Sequence, residues 1–92
     1  MLSFPHMQRK AKTTIHSYKT IFEPLADGGY NVVVPAIPEI CTFGKTLAEA
    51  KRMASEAILC YLESLIRDRR TLPRDIRRAP FIKRLDVQLE RV

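Results

Sequence analysis

The sequence predicts an α+β fold: a three-stranded antiparallel sheet, one long helix packed on one face, and a C-terminal edge strand, ordered β-β-β-α-β. Three features predict it. Short β-branched and aromatic runs are punctuated by Gly and Pro, one long segment carries a helical apolar stripe, and the chain closes on a strict alternation. At 92 residues and 46% hydrophobic content, the chain suffices for one core and is too short for two.

Residues 1–14 show neither strand nor helix period and read as a flexible basic arm, leaving residues 15–92 as the domain. The first strand spans Ile15 to Phe22, with Tyr18, Thr20 and Phe22 on one face and Ile15, Lys19 and Ile21 on the other. Pro24 ends it or holds it at an edge. Ala26-Asp27-Gly28-Gly29 is the strongest turn signal, because Asp-Gly and Gly-Gly accept the positive φ of a tight hairpin. The short strand Tyr30-Asn31-Val32-Val33-Val34 follows, and its continuous Val32-Val33-Val34 run suggests burial on both faces and hence a central position.

Pro35-Ala36-Ile37-Pro38 cannot continue a ladder and reads as a connecting turn. Ile40-Cys41-Thr42-Phe43 gives a short third strand closed by Gly44. Thr46-Leu47-Ala48-Glu49 is a capping box, with Thr46 accepting from the backbone near Glu49 and Glu49 reaching back. Behind it, Leu47, Ala50, Ala54, Ala57, Ile58, Tyr61, Leu62 and Leu65 form one stripe of an amphipathic helix. From Thr46 to Arg69 this helix would run on the order of 35 Å. Arg67, Arg69 and Arg70 fall in its last turn, where cations suit the dipole, and Leu72-Pro73 stops it. After a polar link from Arg74 to Pro80, Leu85, Val87 and Leu89 alternate with Arg84, Asp86, Gln88 and Glu90. This is the pattern of a half-buried strand.

The net charge of +6 belongs to the ends: +3 in residues 1–14 and +5 in residues 67–92, against −1 in each of residues 15–45 and 46–66. No apolar run approaches the roughly 20 residues that span a bilayer, and the N-terminus lacks a secretory signal. The expected location is cytoplasmic, with no membrane contact. Cys41 and Cys60 sit among apolar neighbours and read as reduced core thiols. With His6 and His16 they offer no zinc-ligand spacing.

Catalytic constellations are likewise missing from the sequence. A two-metal nuclease needs converging carboxylates, but Asp27 is explained by its turn and Glu49 by its cap. Glu23 stands beside Pro24, and Glu56 lies on the helix. Ser55 and Ser64 have no histidine near them in sequence. Asp27-Gly28-Gly29 leads into a strand and lacks phosphate-loop spacing. The expectation is no enzyme, no cofactor and no metal.

The blocks Asp27-Gly28-Gly29-Tyr30-Asn31-Val32-Val33-Val34-Pro35-Ala36-Ile37-Pro38, Cys41-Thr42-Phe43-Gly44-Lys45-Thr46-Leu47-Ala48-Glu49-Ala50 and Ala54-Ser55-Glu56-Ala57-Ile58 resemble HicB-type antitoxins. The tail Thr71-Leu72-Pro73-Arg74-Asp75 with its following strand is similar to that family as well. The resemblance covers roughly residues 15–92 and implies a truncated ribonuclease-H-like fold of bacterial or archaeal type. It also implies a partner: a small basic HicA-type toxin that cleaves messenger RNA and is occluded by the antitoxin. Larger relatives append a DNA-binding module, which is not expected here because the sequence ends after the last strand. The chain departs from the pattern at Glu39-Ile40, where a Gly-containing turn is common, and in its basic charge.

On this reading Glu23, Asp27 and Glu39 form the expected partner-binding surface. Six arginines, Arg67, Arg69, Arg70, Arg74, Arg77 and Arg78, form the alternative feature: a small nucleic-acid-binding protein would use them. No aromatic interleaves them, so any such binding should be electrostatic and non-specific. A homo-oligomer, first of all a dimer, is also expected. Val32-Val33-Val34, Ile37 and Ile40 together carry more apolar surface than one helix hides.

Overall fold

The computed structural model describes residues 13–91. Its elements are β1 (Ile21–Pro24), β2 (Tyr30–Val33), β3 (Cys41–Gly44) and α1 (Leu47–Arg67). The three strands form an antiparallel sheet in the order β1-β2-β3. The valine-rich strand is central, as its two-sided apolar run predicts. Of the expected N-terminal arm, all but Thr13 and Thr14 lies outside the described residues.

β1 begins later than its sequence pattern. Its first pair is Ile21 with Val33, and continuing backward would bring Lys19 opposite Pro35, which has no N–H to give. Tyr18, Lys19 and Thr20 are half-buried outside the ladder. The hairpin closes through Gly28 N–H to Leu25 O and Leu25 N–H to Gly29 O, each at 3.0 Å. Gly28 (φ 96°) and Gly29 (φ 83°) take the positive angles that the turn signal anticipated.

Thr46 caps α1: its Oγ1 accepts from Glu49 N–H at 3.0 Å. Glu49 reaches back one residue further than the capping box implies, accepting from Lys45 N–H at 2.6 Å. Thr46→Ala removes an acceptor for an otherwise orphan donor and should cost about 1 kcal/mol in denaturant unfolding. An unchanged midpoint would mean that the Thr46 hydroxyl does not hold this turn.

The helix ends before Leu72-Pro73. Asp68 is its C-cap, Arg69 turns left-handed at φ 57°, and Arg70 N–H donates to Leu65 O at 2.8 Å while Arg69 N–H donates to Ile66 O at 3.0 Å. That pair of bonds is a Schellman closure made without its usual glycine. Arg69 and Arg70 therefore lie beyond the last turn, and only Arg67 lies in it.

The helix covers one sheet face. Val32 packs on Ala50 and Ala54, flanked by Phe22 and Tyr30. A second cluster joins Val34, Ile37 and Ile40 to Tyr18, Ala57, Ile58 and Tyr61. This corrects the expectation that Ile37 and Ile40 are surplus surface: both are buried, as are Val32 and Val34. The physical reason is a mismatch of lengths. Four-residue strands span roughly 13 Å, whereas a 21-residue helix runs roughly 32 Å. The β2–β3 connection folds under the overhang and fills it.

Two further expectations change. Cys41 and Cys60 are free but exposed; the alternation that turns Ile40 inward turns Cys41 out, and Cys60 lies off the helix's buried stripe. The C-terminal alternating run forms no strand here. Residues 77–91 are exposed throughout, and the sheet has three strands. The preceding link is tied to the residues leading into β1, with Tyr18 O–H donating to Pro73 O at 2.7 Å. Lys19 N–H and Nζ donate to Asp75 Oδ1 at 3.0 Å and Oδ2 at 3.1 Å, and Nζ also donates to Ile76 O at 2.7 Å. The chain then runs on past β1.

Candidate interaction surface

Register decides what the sheet shows to solvent. Val32, paired with Phe22 and Thr42, faces the helix. The neighbouring rows therefore face away: Ile21, Val33 and Cys41 in one, Glu23, Asn31 and Phe43 in the other. Gly44 fixes this orientation, because it lies directly against Ala50 of α1, so Phe43 beside it must point outward. Phe43 is 43% exposed and Leu25, at the foot of the hairpin, 36%. With Asp27, Gly28, Gly29 and Lys45 they line one shallow groove.

The hairpin end thus combines Glu23 and Asp27 with two exposed apolar side chains. Glu39 stands elsewhere. It precedes β3, whose Cys41 pairs with Val33 at the far end of the sheet, and that row lies two residues, roughly 7 Å at strand spacing, from the Glu23 row. There it accepts a hydrogen bond from Tyr61 O–H at 3.0 Å. That bond is the main cause raising the Tyr61 hydroxyl above the ordinary tyrosine range, with burial and the charge of Glu39 adding and Arg70 opposing. The three acids of the sequence reading are two separate features. Phe43 and Leu25, which join the first, were not marked in the sequence; the signal for Phe43 was its place beside a helix-contacting glycine.

The six arginines are all exposed. They follow one another along the end of α1, the Schellman turn and the link, and none forms an ion pair with a described residue. The two acids among them have structural duties: Asp68 is the C-cap and Asp75 holds Lys19. Burial pushes the Asp75 carboxyl upward, but hydrogen bonds from Lys19 and Ile76 and the Lys19 charge outweigh it and hold the group below its ordinary value.

The residues weighed for chemistry are dispersed. Glu49 and Glu56 both contact Arg52 along the helix. Ser64 donates to Tyr61 O at 2.7 Å. His16 is exposed and bonded to Thr14 at 2.9 Å, while His6 lies outside the described residues. Among the described residues no three His, Cys, Asp or Glu side chains gather as a metal site would require, and no helix is long and apolar enough to cross a membrane.

Comparison with known proteins places this sheet and helix. The chain is similar to the UPF0150 protein Ta0767 of Thermoplasma acidophilum, 45% identical over 58 residues that cover 63% of this chain and 84% of the relative. It is similar to the antitoxin HicB 1 of Photorhabdus laumondii, 39% identical over 56 residues that cover 61% of this chain. That match spans only 36% of the Photorhabdus protein's length. The UPF0150 protein ssr1765 of Synechocystis is 34% identical over 61 residues, 66% of this chain and 77% of the relative. No solved structure matches. The family described as HicB-like antitoxin of bacterial toxin–antitoxin systems matches residues 18–88, from the lead-in to β1 through most of the C-terminal run, and the chain belongs to that family.

Proposed function

We propose that this chain neutralises a small basic HicA-type toxin by covering the face with which the toxin binds messenger RNA, and that it has no catalytic activity of its own. The observation that carries the reading is the family match over residues 18–88. The architecture is a ribonuclease-H-like sheet cut short, and an mRNA-cleaving partner implies action in the cytoplasm. The hairpin end is the contact surface, with Leu25 and Phe43 as its apolar anchors and Glu23 and Asp27 as its acids. Acidic groups around apolar anchors suit a basic partner, because complementary charge steers encounter while the desolvated centre holds the complex.

Glu23→Lys combined with Asp27→Lys places like charges against such a toxin. Affinity should fall at least about tenfold, or about 1.4 kcal/mol, with helix content unchanged. Calorimetric titration of the purified pair measures this. Undiminished affinity would remove the hairpin end from the interface.

A second reading has one observation in its favour, six exposed arginines that form no ion pair with a described residue. Arg67, Arg69, Arg70, Arg74, Arg77 and Arg78 then contact nucleic-acid phosphates without reading sequence. Affinity should fall steeply with salt, by on the order of a thousandfold between 50 and 200 mM if about six phosphates are engaged. Tight, sequence-selective binding at physiological salt would contradict it.

A further inference from the structure

The C-terminal run has the sequence of a strand and no strand to pair with. Leu85, Val87 and Leu89 alternate with Arg84, Asp86, Gln88 and Glu90, yet they are 76%, 84% and 79% exposed, and Phe81 and Ile82 are 85% and 100% exposed. Across two copies these five side chains offer on the order of 1,000 Å² of apolar surface, the size class of a specific interface.

Its own sheet is already behind it. Asp75 is fixed beside Lys19, just ahead of β1, and Ala79 to Ile82 face Lys19 to Pro24 across an open groove. Seven residues from Asp75 to Ile82 reach roughly 23 Å when extended, so the chain has run the length of four-residue β1 before its alternation is under way. Returning would need a reversal, and residues 81–91 contain no Gly, Pro, Asn or Ser to make one and a single Asp, Asp86, in the middle of the alternation.

The sheet also offers a receiving edge. β1 is an edge strand with β2 on one side only. The groove along its outer side has a volume of about 660 Å³ and includes Ile21, Phe22, Pro24, Pro80, Phe81 and Ile82 in its lining. A strand laid there would pair the bare backbone of β1 and seat alternate apolar side chains against this lining.

We propose that residues 83–91 are an exchanged strand, which pairs along the outer edge of β1 in a second copy of the chain while that copy's tail pairs here, closing a two-fold dimer. The exchange supplies the fourth strand that the sequence predicts and the single chain lacks. It is an isologous arrangement, in which one edge and one tail from each copy satisfy both.

Light scattering of the full chain at micromolar concentration should give twice the mass of one chain. A chain ending at Ala79, and separately Val87→Pro, should give the mass of one chain with the helical circular dichroism retained. Val87 lies beyond the link and groove contacts, so this variant decides the matter even if the truncated chain fails to fold. In a mixture of isotope-labelled and unlabelled full chains, inter-chain NOEs should join residues 83–90 to residues 20–24. A monomeric full chain, a dimer that survives Val87→Pro, or inter-chain NOEs confined to tail against tail or to the Ile21–Val33–Cys41 face would each overturn the proposal.

Discussion

Gly44→Ala should cost roughly 3 kcal/mol, near the upper end of what overpacking a core does. A Cβ at this position would overlap the backbone nitrogen of Ala50 and lie 2.5 Å from its Cα and 2.8 Å from its Cβ. Those atoms belong to the first turn of α1, held by Ala50 N–H to Thr46 O at 2.8 Å, so no flexible side chain can yield. The helix must lift from the sheet, and the Val32–Ala50–Ala54 contacts loosen together. Against a total stability of roughly 5–15 kcal/mol, the melting temperature should fall by on the order of 15 °C. Gly28→Ala is the matched control: its Cβ meets nothing within 4 Å, and only its φ of 96° resists, so its loss should be nearer 1 kcal/mol. Equal losses for the two variants would mean that the helix does not rest on Gly44.

Ile37→Ala should cost a comparable 2–4 kcal/mol, although the residue sits in a connection and not in a strand or helix. Ile37 is 1% exposed, enclosed by Val34, Ile40, Tyr18, Ala57, Ile58 and Tyr61. Its backbone is committed on both sides, donating to Val34 O at 2.8 Å and accepting from Ile40 N–H at 3.0 Å, so the turn cannot collapse into the vacated volume. Denaturant unfolding with an unchanged m-value is the measurement. A loss below about 1 kcal/mol, the scale of surface substitutions, would mean that the overhang of α1 is not packed by this turn.

That prediction also shows where sequence reasoning stopped short. Two prolines around Ile37 announce a loop, and loops are normally read as surface. Only the relative lengths of sheet and helix reveal that this loop lies beneath α1. Local chemistry was legible wherever it was self-contained: the positive-φ glycines of the hairpin, the Thr46 cap, the central valine strand and the helical stripe. It misled at Cys41 and Cys60, where apolar sequence neighbours stood in for the facing that register and helix phase decide. The helix ends at Arg67, two residues before the Arg69 that its pattern predicts, because an arginine occupies the left-handed position that a glycine normally signals. In the tail, alternation identified an apolar face, but a strand pattern carries no information about whether a neighbour is within reach, and this run pairs with no strand among the described residues. The candidate site was half legible. Glu23 and Asp27 stood out as acids, whereas Phe43 became visible only once Gly44 was found against the helix, and Glu39 separated from them only through register.

Neutralisation is tested most directly by the RNA-cleaving activity of a purified HicA-type toxin titrated with this chain. Occlusion of the toxin's RNA-binding face predicts that cleavage falls linearly and vanishes near equimolar chains, with the Glu23→Lys/Asp27→Lys protein needing a large excess. Cleavage that continues undiminished in saturating antitoxin, with a stable complex present, would contradict occlusion as the mechanism.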